Sequence, residues 1–244
     1  MSRILITGST DGVGRAAATS LLDDGHHVVV HARTPQRLAA VGDLTSRGAL
    51  SVVGDLAHRD EVHGIAEQAN RLGPFDAVIH NAGIIDGSSL LPVNVVAPYV
   101  LTARIPASRL IYLSSSMHRG GRADLSHADW SGTRKTASYS DSKLFVTALM
   151  AAVARRWPSV LAHAVDPGWV PTKMGGPSAS DDLALGHVTQ AWLATVDDPE
   201  VLVSGRYWHH RRTEEPHPAV HDEGFQDELL AAVHRHSGID LLRR

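Results

Sequence analysis

The feature that most constrains this chain is the stretch Thr7-Gly8-Ser9-Thr10-Asp11-Gly12-Val13-Gly14-Arg15. The apolar run Ile4-Leu5-Ile6 enters it as a strand, and the alanine-rich run from Ala16 to Leu22 leaves it as a helix. Glycine reaches positive φ without a Cβ clash, so glycines spaced G-x-x-x-G-x-G permit a sharp strand-to-helix turn. They also let a phosphate approach the backbone, where the unpaired N–H groups and positive dipole end of the new helix face it. The stretch predicts a dinucleotide pyrophosphate site at the first β-to-α turn of a doubly wound sheet. The spacing is not G-x-G-x-x-G, and the competing reading is a glycine-rich turn without a ligand.

The rest of the chain alternates in the way such a sheet requires. Strands are expected at Val28–Ala32, Leu50–Gly54, Phe75–His80, Arg109–Leu113, Val160–Val165 and Gly205–Trp208. Between them lie helical segments: one opened by Thr34 as N-cap and Pro35 at N1, then 58–72, Asn94–Arg104 bent or delayed by Pro98, 138–157, and Asp181–Thr195. A final helix covers Asp222 to His236, a polar loop 117–137, and a Pro/Gly/Ser-containing loop 171–181. The fold class is α/β: a Rossmann-type doubly wound parallel sheet of about seven strands. With no repeat or linker, residues 1–244 read as one domain.

An acidic residue near the end of the second strand would accept ribose hydroxyls of NAD(H). Here that end reads His31-Ala32-Arg33. Arg33 suits a 2′-phosphate, with Arg15 as a second cation, so NADP(H) is preferred over NAD(H). The alternative is a surface Arg33 and a site that takes either cofactor.

Composition narrows the field by exclusion. The formal net charge is -3 and no basic block occurs, which argues against nucleic acid as a partner. Cysteine is absent, so disulfides and thiolate chemistry are excluded. No apolar run approaches the roughly 18 residues of a membrane span, and the chain enters a strand at once, without a signal peptide. A cytoplasmic protein is expected. The densest histidine cluster, His209, His210, His217 and His221, lacks ligand spacing on one element and reads as a polar loop, so no metal is expected.

Tyr139 and Lys143 stand one turn apart on a helix and share a face. A free phenol has a pKa of about 10, and a nearby cation lowers it toward use as an acid or base. Thr7-Gly8-x-x-x-Gly12-x-Gly14, Asp55-Leu56, Asn81-Ala82-Gly83, Ser115, Tyr139-x-x-x-Lys143 and Pro167-Gly168 with Thr172 together resemble the short-chain dehydrogenase/reductase family. Ser114–His118 and Gly205–Trp208 are similar to its retinol-dehydrogenase-like and protochlorophyllide-reductase-like branch.

The resemblance implies hydride transfer between NADP(H) and a carbonyl or alcohol substrate. Tyr139 would be the general acid/base and Lys143 its tuning cation, also holding the nicotinamide ribose. Ser115 would bind the substrate oxygen, with Ser114 and Ser116 as competitors for that role, and Asn94 would support a relay water. Gly8, Ser9, Thr10, Asp11, Gly12, Val13 and Gly14 would cradle the cofactor. Asp55, with Leu56, would meet the adenine, Asn81, Ala82 and Gly83 would line the site, and Pro167, Gly168, Val170 and Thr172 would face the nicotinamide.

Three departures from the family pattern stand out. His80 replaces an asparagine, and the segments 83–94 and 94–109 are short. The second region commonly builds the family's dimer interface, so the oligomer is left open between a monomer and an altered dimer, with a more open substrate pocket. Trp130, Trp169, Met174 and Trp192 are candidates for an apolar pocket near the 171–181 loop. A catalytically silent NADP(H)-sensing protein is the alternative function; a methyltransferase on a similar sheet would leave Tyr139 and Lys143 without a role.

Overall fold

The computed structural model describes residues 1–241. Its elements run β1 (Arg3–Ile6), α1 (Gly12–Asp23), β2 (His27–Ala32), α2 (Gly42–Ser46), β3 (Leu50–Val53), α3 (Arg59–Leu72), β4 (Phe75–His80), α4 (Ala97–Arg104) and β5 (Ala107–Leu113). The second half adds α5 (Tyr139–Arg156), β6 (Leu161–Asp166), α6 (Leu183–Gly186), α7 (Val188–Thr195), β7 (Arg206–His209), β8 (Arg212–Glu214) and α8 (Glu223–Ser237). Among the described residues these strands form one sheet in the order β3-β2-β1-β4-β5-β6-β7-β8. Neighbours from β3 to β7 are parallel and β8 returns antiparallel along β7.

The short strands are apolar because both faces are buried. Ile4 and Ile6 point to one face, with Val28, Val30, Ile79, Ile111 and Trp208, where α1 and α7 cover them. Leu5 points to the other, with Val29, Val78, Leu110 and Tyr112, beneath α3, α4, α5 and α8. The strand order reverses at β1, so the glycine turn opens onto the crevice between the diverging crossovers, where ligands of such sheets bind.

Four expectations are corrected. The sheet gains the antiparallel edge strand β8, which closes through left-handed His210 and Arg211 (φ 47° and 61°). Its sequence Arg-Thr-Glu is exposed and carries no apolar signal. The helix expected from Asn94 starts at Leu90, and passes through a π turn at Pro92–Val96 before α4. Pro98 explains the π turn: it has no N–H for the Asn94 carbonyl and its ring would clash there, so the helix widens and Ala97 N–H reaches Pro92 O instead. Thr34 makes no side-chain cap, and Pro35–Val41 is a 3₁₀ helix. The helix expected over Asp181–Thr195 breaks at His187 into α6 and α7.

Candidate active site

The glycine turn is shaped by steric limits that only glycine meets. Gly8 and Gly12 have φ of +63° and +54°. A Cβ on Gly8 would lie 2.8 Å from Ala82 Cα, and one on Gly14 would lie 2.3 Å from Asn81 Nδ2. The turn therefore packs directly against the segment leaving β4, where Asn81 Nδ2 donates to the Thr7 and Gly8 carbonyls at 2.9 and 3.1 Å. Thr7 Oγ1 accepts the Ala82 N–H at 3.1 Å. Asp11 caps α1 by accepting the Gly12 N–H, and pairs with Lys173, so its charge is offset at the mouth of the cradle. The first-turn N–H groups beyond it, at Val13 and Gly14, have no intrahelical acceptor and are suited to an anion. The cradle fits a pyrophosphate.

Ser9 and His31 hold this turn from behind. Ser9 Oγ is buried, donates to Ile6 O and accepts His31 N–H. His31 Nδ1 accepts the Gly8 N–H at 2.9 Å, so the ring proton sits on Nε2 and is donated to Gly54 O at 2.8 Å. Burial lowers the His31 pKa and keeps this neutral tautomer.

At the other end of the crevice, α5 begins with a capping box between Ser138 and Asp141. That cap presents Tyr139 in the first turn, half-buried, and Lys143 one turn on, 4 % exposed. Lys143 Nζ donates to the Leu113 carbonyl at 2.7 Å and lies 5.5 Å from the Tyr139 ring centroid. Ser115 stands beside Tyr139, and its hydroxyl acts to lower the phenol's pKa. Burial, reinforced by the Asp166 charge, pushes the phenol up to about 12; burial pulls Lys143 down to about 8. The expected lowering of the phenol pKa by Lys143 is thus corrected: the ammonium faces the ring and a carbonyl, and desolvation dominates.

The structure separates the three serines at the end of β5. Ser114 is buried on Thr147 Oγ1 at 2.6 Å, Ser116 is exposed, and Ser115 is the one beside Tyr139. Asn94 is buried, with Oδ1 accepting Ile84 N–H and Nδ2 donating to Ile84 O and Ser142 Oγ. A Cβ on Gly83 would lie 3.4 Å from both Asn94 Oδ1 and Lys143 Nζ, so these groups converge on one glycine. An open cleft of about 600 Å³ leads to Tyr139 past Ile85, Asp86, Arg122, Lys135 and Thr136.

A family model for short chain dehydrogenases matches residues 2–104. An oxidoreductase of Emericella nidulans is 39 % identical, with 98 % of each chain covered. The short-chain dehydrogenase chyC of Penicillium rubens is 36 % identical over 99 % of each. This chain is a short-chain dehydrogenase. It is an oxidoreductase of the class that acts on CH–OH and C=O groups. A crystal structure of a short chain dehydrogenase from Shigella flexneri, complexed with NADP, shares its fold with a TM-score of 0.70 at 22 % identity, over 86 % of this chain and 97 % of that one.

The other residues expected at the site make the following contacts within the dehydrogenase. Asp55 Oδ1 closes a turn on Ala57 N–H, and Leu56 is buried in the core with Val62 and Ile65. Gly168 is left-handed at φ +82°, Val170 is buried, and the methyl of Thr172 stands where a Cβ on Gly12 would be 3.1 Å away. Pro167 is half-buried at the end of β6. Arg33 is exposed at the end of β2. Arg15 is not a free second cation: it pairs with Asp43 at 2.8 Å. Arg37, unremarked in the sequence, takes its place beside the turn by donating to Thr10 Oγ1 at 3.2 Å.

The apolar pocket expected around the tryptophans does not assemble. Trp130 packs on Phe145, Trp192 on Trp208, while Trp169 and Met174 are exposed. The cleft at Tyr139 is instead edged by charge, including an Asp86–Lys135 ion pair. Among the described residues no helix is long and apolar enough to cross a membrane.

Proposed function

We propose that the dehydrogenase, a single cytoplasmic domain over 1–244, reduces a carbonyl substrate, or oxidises the corresponding alcohol, with NADP(H) in preference to NAD(H). NADPH supplies the hydride when bound. Gly8, Gly12 and Gly14 make room for its pyrophosphate, Arg33 and Arg37 meet the 2′-phosphate, and Lys143 holds the nicotinamide ribose. The substrate carbonyl enters by the cleft and accepts hydrogen bonds from Ser115 and Tyr139, which polarise it. As charge develops on the substrate oxygen, the Tyr139 phenol gives up its proton there. A phenol held neutral by burial is a sound resting acid for that step. Asn94, locked by Ile84 and Ser142, keeps the lysine's surroundings polar.

The observation that carries the reading is the Ser115–Tyr139–Lys143 set at the C-terminal edge of β5, in the same crevice as the glycine cradle. The deciding experiment is NADPH oxidation at 340 nm across a panel of aldehydes and ketones, with Tyr139→Phe beside wild type. Turnover in wild type and its loss in Y139F would support the reading. Tight NADPH binding without turnover on any substrate would favour the silent cofactor sensor.

A further inference from the structure

A second polar cluster stands behind Ser115, and the chemistry above gives it no task. Asp166 ends β6 and is 5 % exposed. Its Oδ2 accepts the Ser116 N–H at 2.8 Å and its Oδ1 accepts the Gly168 N–H at 2.9 Å. The Tyr207 hydroxyl donates to Oδ2 over 3.3 Å. His209 Nδ1 lies 3.7 Å from the same oxygen and has no hydrogen-bond partner among the described residues.

His118 holds the same serine turn from the other side. Its ring is fully buried and packs on Tyr207, with centroids 4.6 Å apart. Nε2 accepts the His217 N–H at 3.0 Å, so that nitrogen carries no proton. Nδ1 therefore does, and donates to the Ser115 carbonyl at 2.7 Å. Ser115 is thus gripped through its own carbonyl by His118 and through the next N–H by Asp166. The Asp166 carboxylate spans two turns, one carrying Ser115 and one carrying Gly168. Hydrogen bonds to an ionised acceptor are shorter and stiffer than neutral ones, which suits a part that must not drift.

We propose that Asp166 and His118 are positioning residues for carbonyl reduction, fixing the Ser115 hydroxyl against Tyr139 and tying it to the Gly168 turn. The inference rests on the function proposed above. Asp166 also acts at a distance, because its charge favours the protonated forms of Tyr139 and Lys143 on α5. The other titratable or charged groups around it are His118 and Arg119 on the 116–120 turn, Tyr207 and His209 on β7, and Asp181 beside Gly168.

The test is Asp166→Asn, which keeps the shape, loses the charge, and turns an amide N–H toward a backbone N–H. We expect kcat for carbonyl reduction to fall about tenfold or more, with KM and the NADPH Kd from fluorescence titration changed less than about threefold. Without the anion Tyr139 releases its proton more readily. Lys143 likewise loses its proton more readily, so the alkaline limb of the rate profile should move to lower pH; a purely structural role would leave it in place. In a Ser115→Ala background the same change should cost less than about twofold more. His118→Ala should lower kcat by about tenfold, and His118→Asn, which retains an N–H for the Ser115 carbonyl, should recover to within about threefold of wild type.

Folded D166N and H118A both within about twofold of wild-type kcat would overturn the proposal. So would a D166N loss that multiplies in full with S115A. If D166N fails to fold by near-ultraviolet dichroism, the H118A and H118N pair decides. A wild type that reduces no carbonyl would sink the enzymatic reading and this inference with it, whereas an active wild type with indifferent variants sinks only the positioning.

Discussion

Lys143 Nζ stands 5.5 Å from the Tyr139 ring centroid and donates a hydrogen bond to the Leu113 carbonyl at 2.7 Å. The pair is arranged so that neither group is eased toward its charged form. The phenol sits at about 12 and the ammonium at about 8, both through burial. Removing the phenolic oxygen is therefore expected to remove the acid without disturbing the fold. Tyr139→Phe should lower kcat by at least about a hundredfold while NADPH, titrated by fluorescence, binds as in wild type.

Lys143 is a charge held in a dry place, and that is a strain on the folded state. Its folded pKa lies below the unfolded value, so unfolding takes up a proton between about pH 8 and 10.5. Stability should rise across that window. At pH 7 the buried charge is a net cost, and Lys143→Met should unfold at higher urea, by about 1–2 kcal/mol, while activity is lost. A destabilised K143M would mean that the Leu113 hydrogen bond outweighs the desolvation.

Acid should loosen the molecule through histidines buried neutral. Burial lowers His31, and carries His80 to about 3 and His163 to about 4. Each folded pKa is below its unfolded value of 6.5. Their contribution is complete above that pH and drains away as pH falls toward the folded values, by up to about 1.4 kcal/mol per unit for each group. Thermal unfolding at pH 7, 6 and 5 should show Tm dropping with acid; a flat Tm would contradict the buried neutral assignments.

The glycines of the cradle should not be equivalent. Ala at position 8 or 14 meets Ala82 or Asn81 at sub-contact distance, whereas Ala at 12 meets only a Thr172 methyl at 3.1 Å and is strained mainly by its φ of +54°. Gly8→Ala and Gly14→Ala should destabilise by about 2 kcal/mol or more and weaken NADPH binding most, with Gly12→Ala milder. Urea unfolding and coenzyme titration of the three variants would establish the order.

Coenzyme choice should reside in Arg33 and Arg37, not Arg15. Alanine at 33 or 37 is expected to raise KM for NADPH about tenfold and leave that for NADH nearly unchanged. Arg15→Ala, which breaks the Asp43 pair and the hydrogen bond to the Ala40 carbonyl, should leave the ratio of the two coenzymes as it was.

Much of this was legible along the chain, because periodicity and local spacing carry it. The strand–glycine–helix passage at 4–22 and the Tyr139/Lys143 turn appear in the structure where the sequence puts them. The edge strand β8 escaped because Arg212–Glu214 is exposed and has no hydrophobic side to betray it. Pro98 signals a bent or delayed helix, but neither the π turn at Pro92–Val96 nor the earlier start at Leu90 follows from it.

The sequence alone determined the doubly wound sheet and the helix that carries Tyr139 and Lys143 on one face, since hydrophobic runs and a four-residue helical interval are local patterns. Tertiary structure decided which serine meets Tyr139, which arginine stands by Thr10, and that His31, His118 and Asp166 grip the turns from behind. The reason is physical: those contacts join the ends of neighbouring strands far apart in sequence, and desolvation at the meeting point, which no local pattern encodes, sets the proton affinities of the groups gathered there.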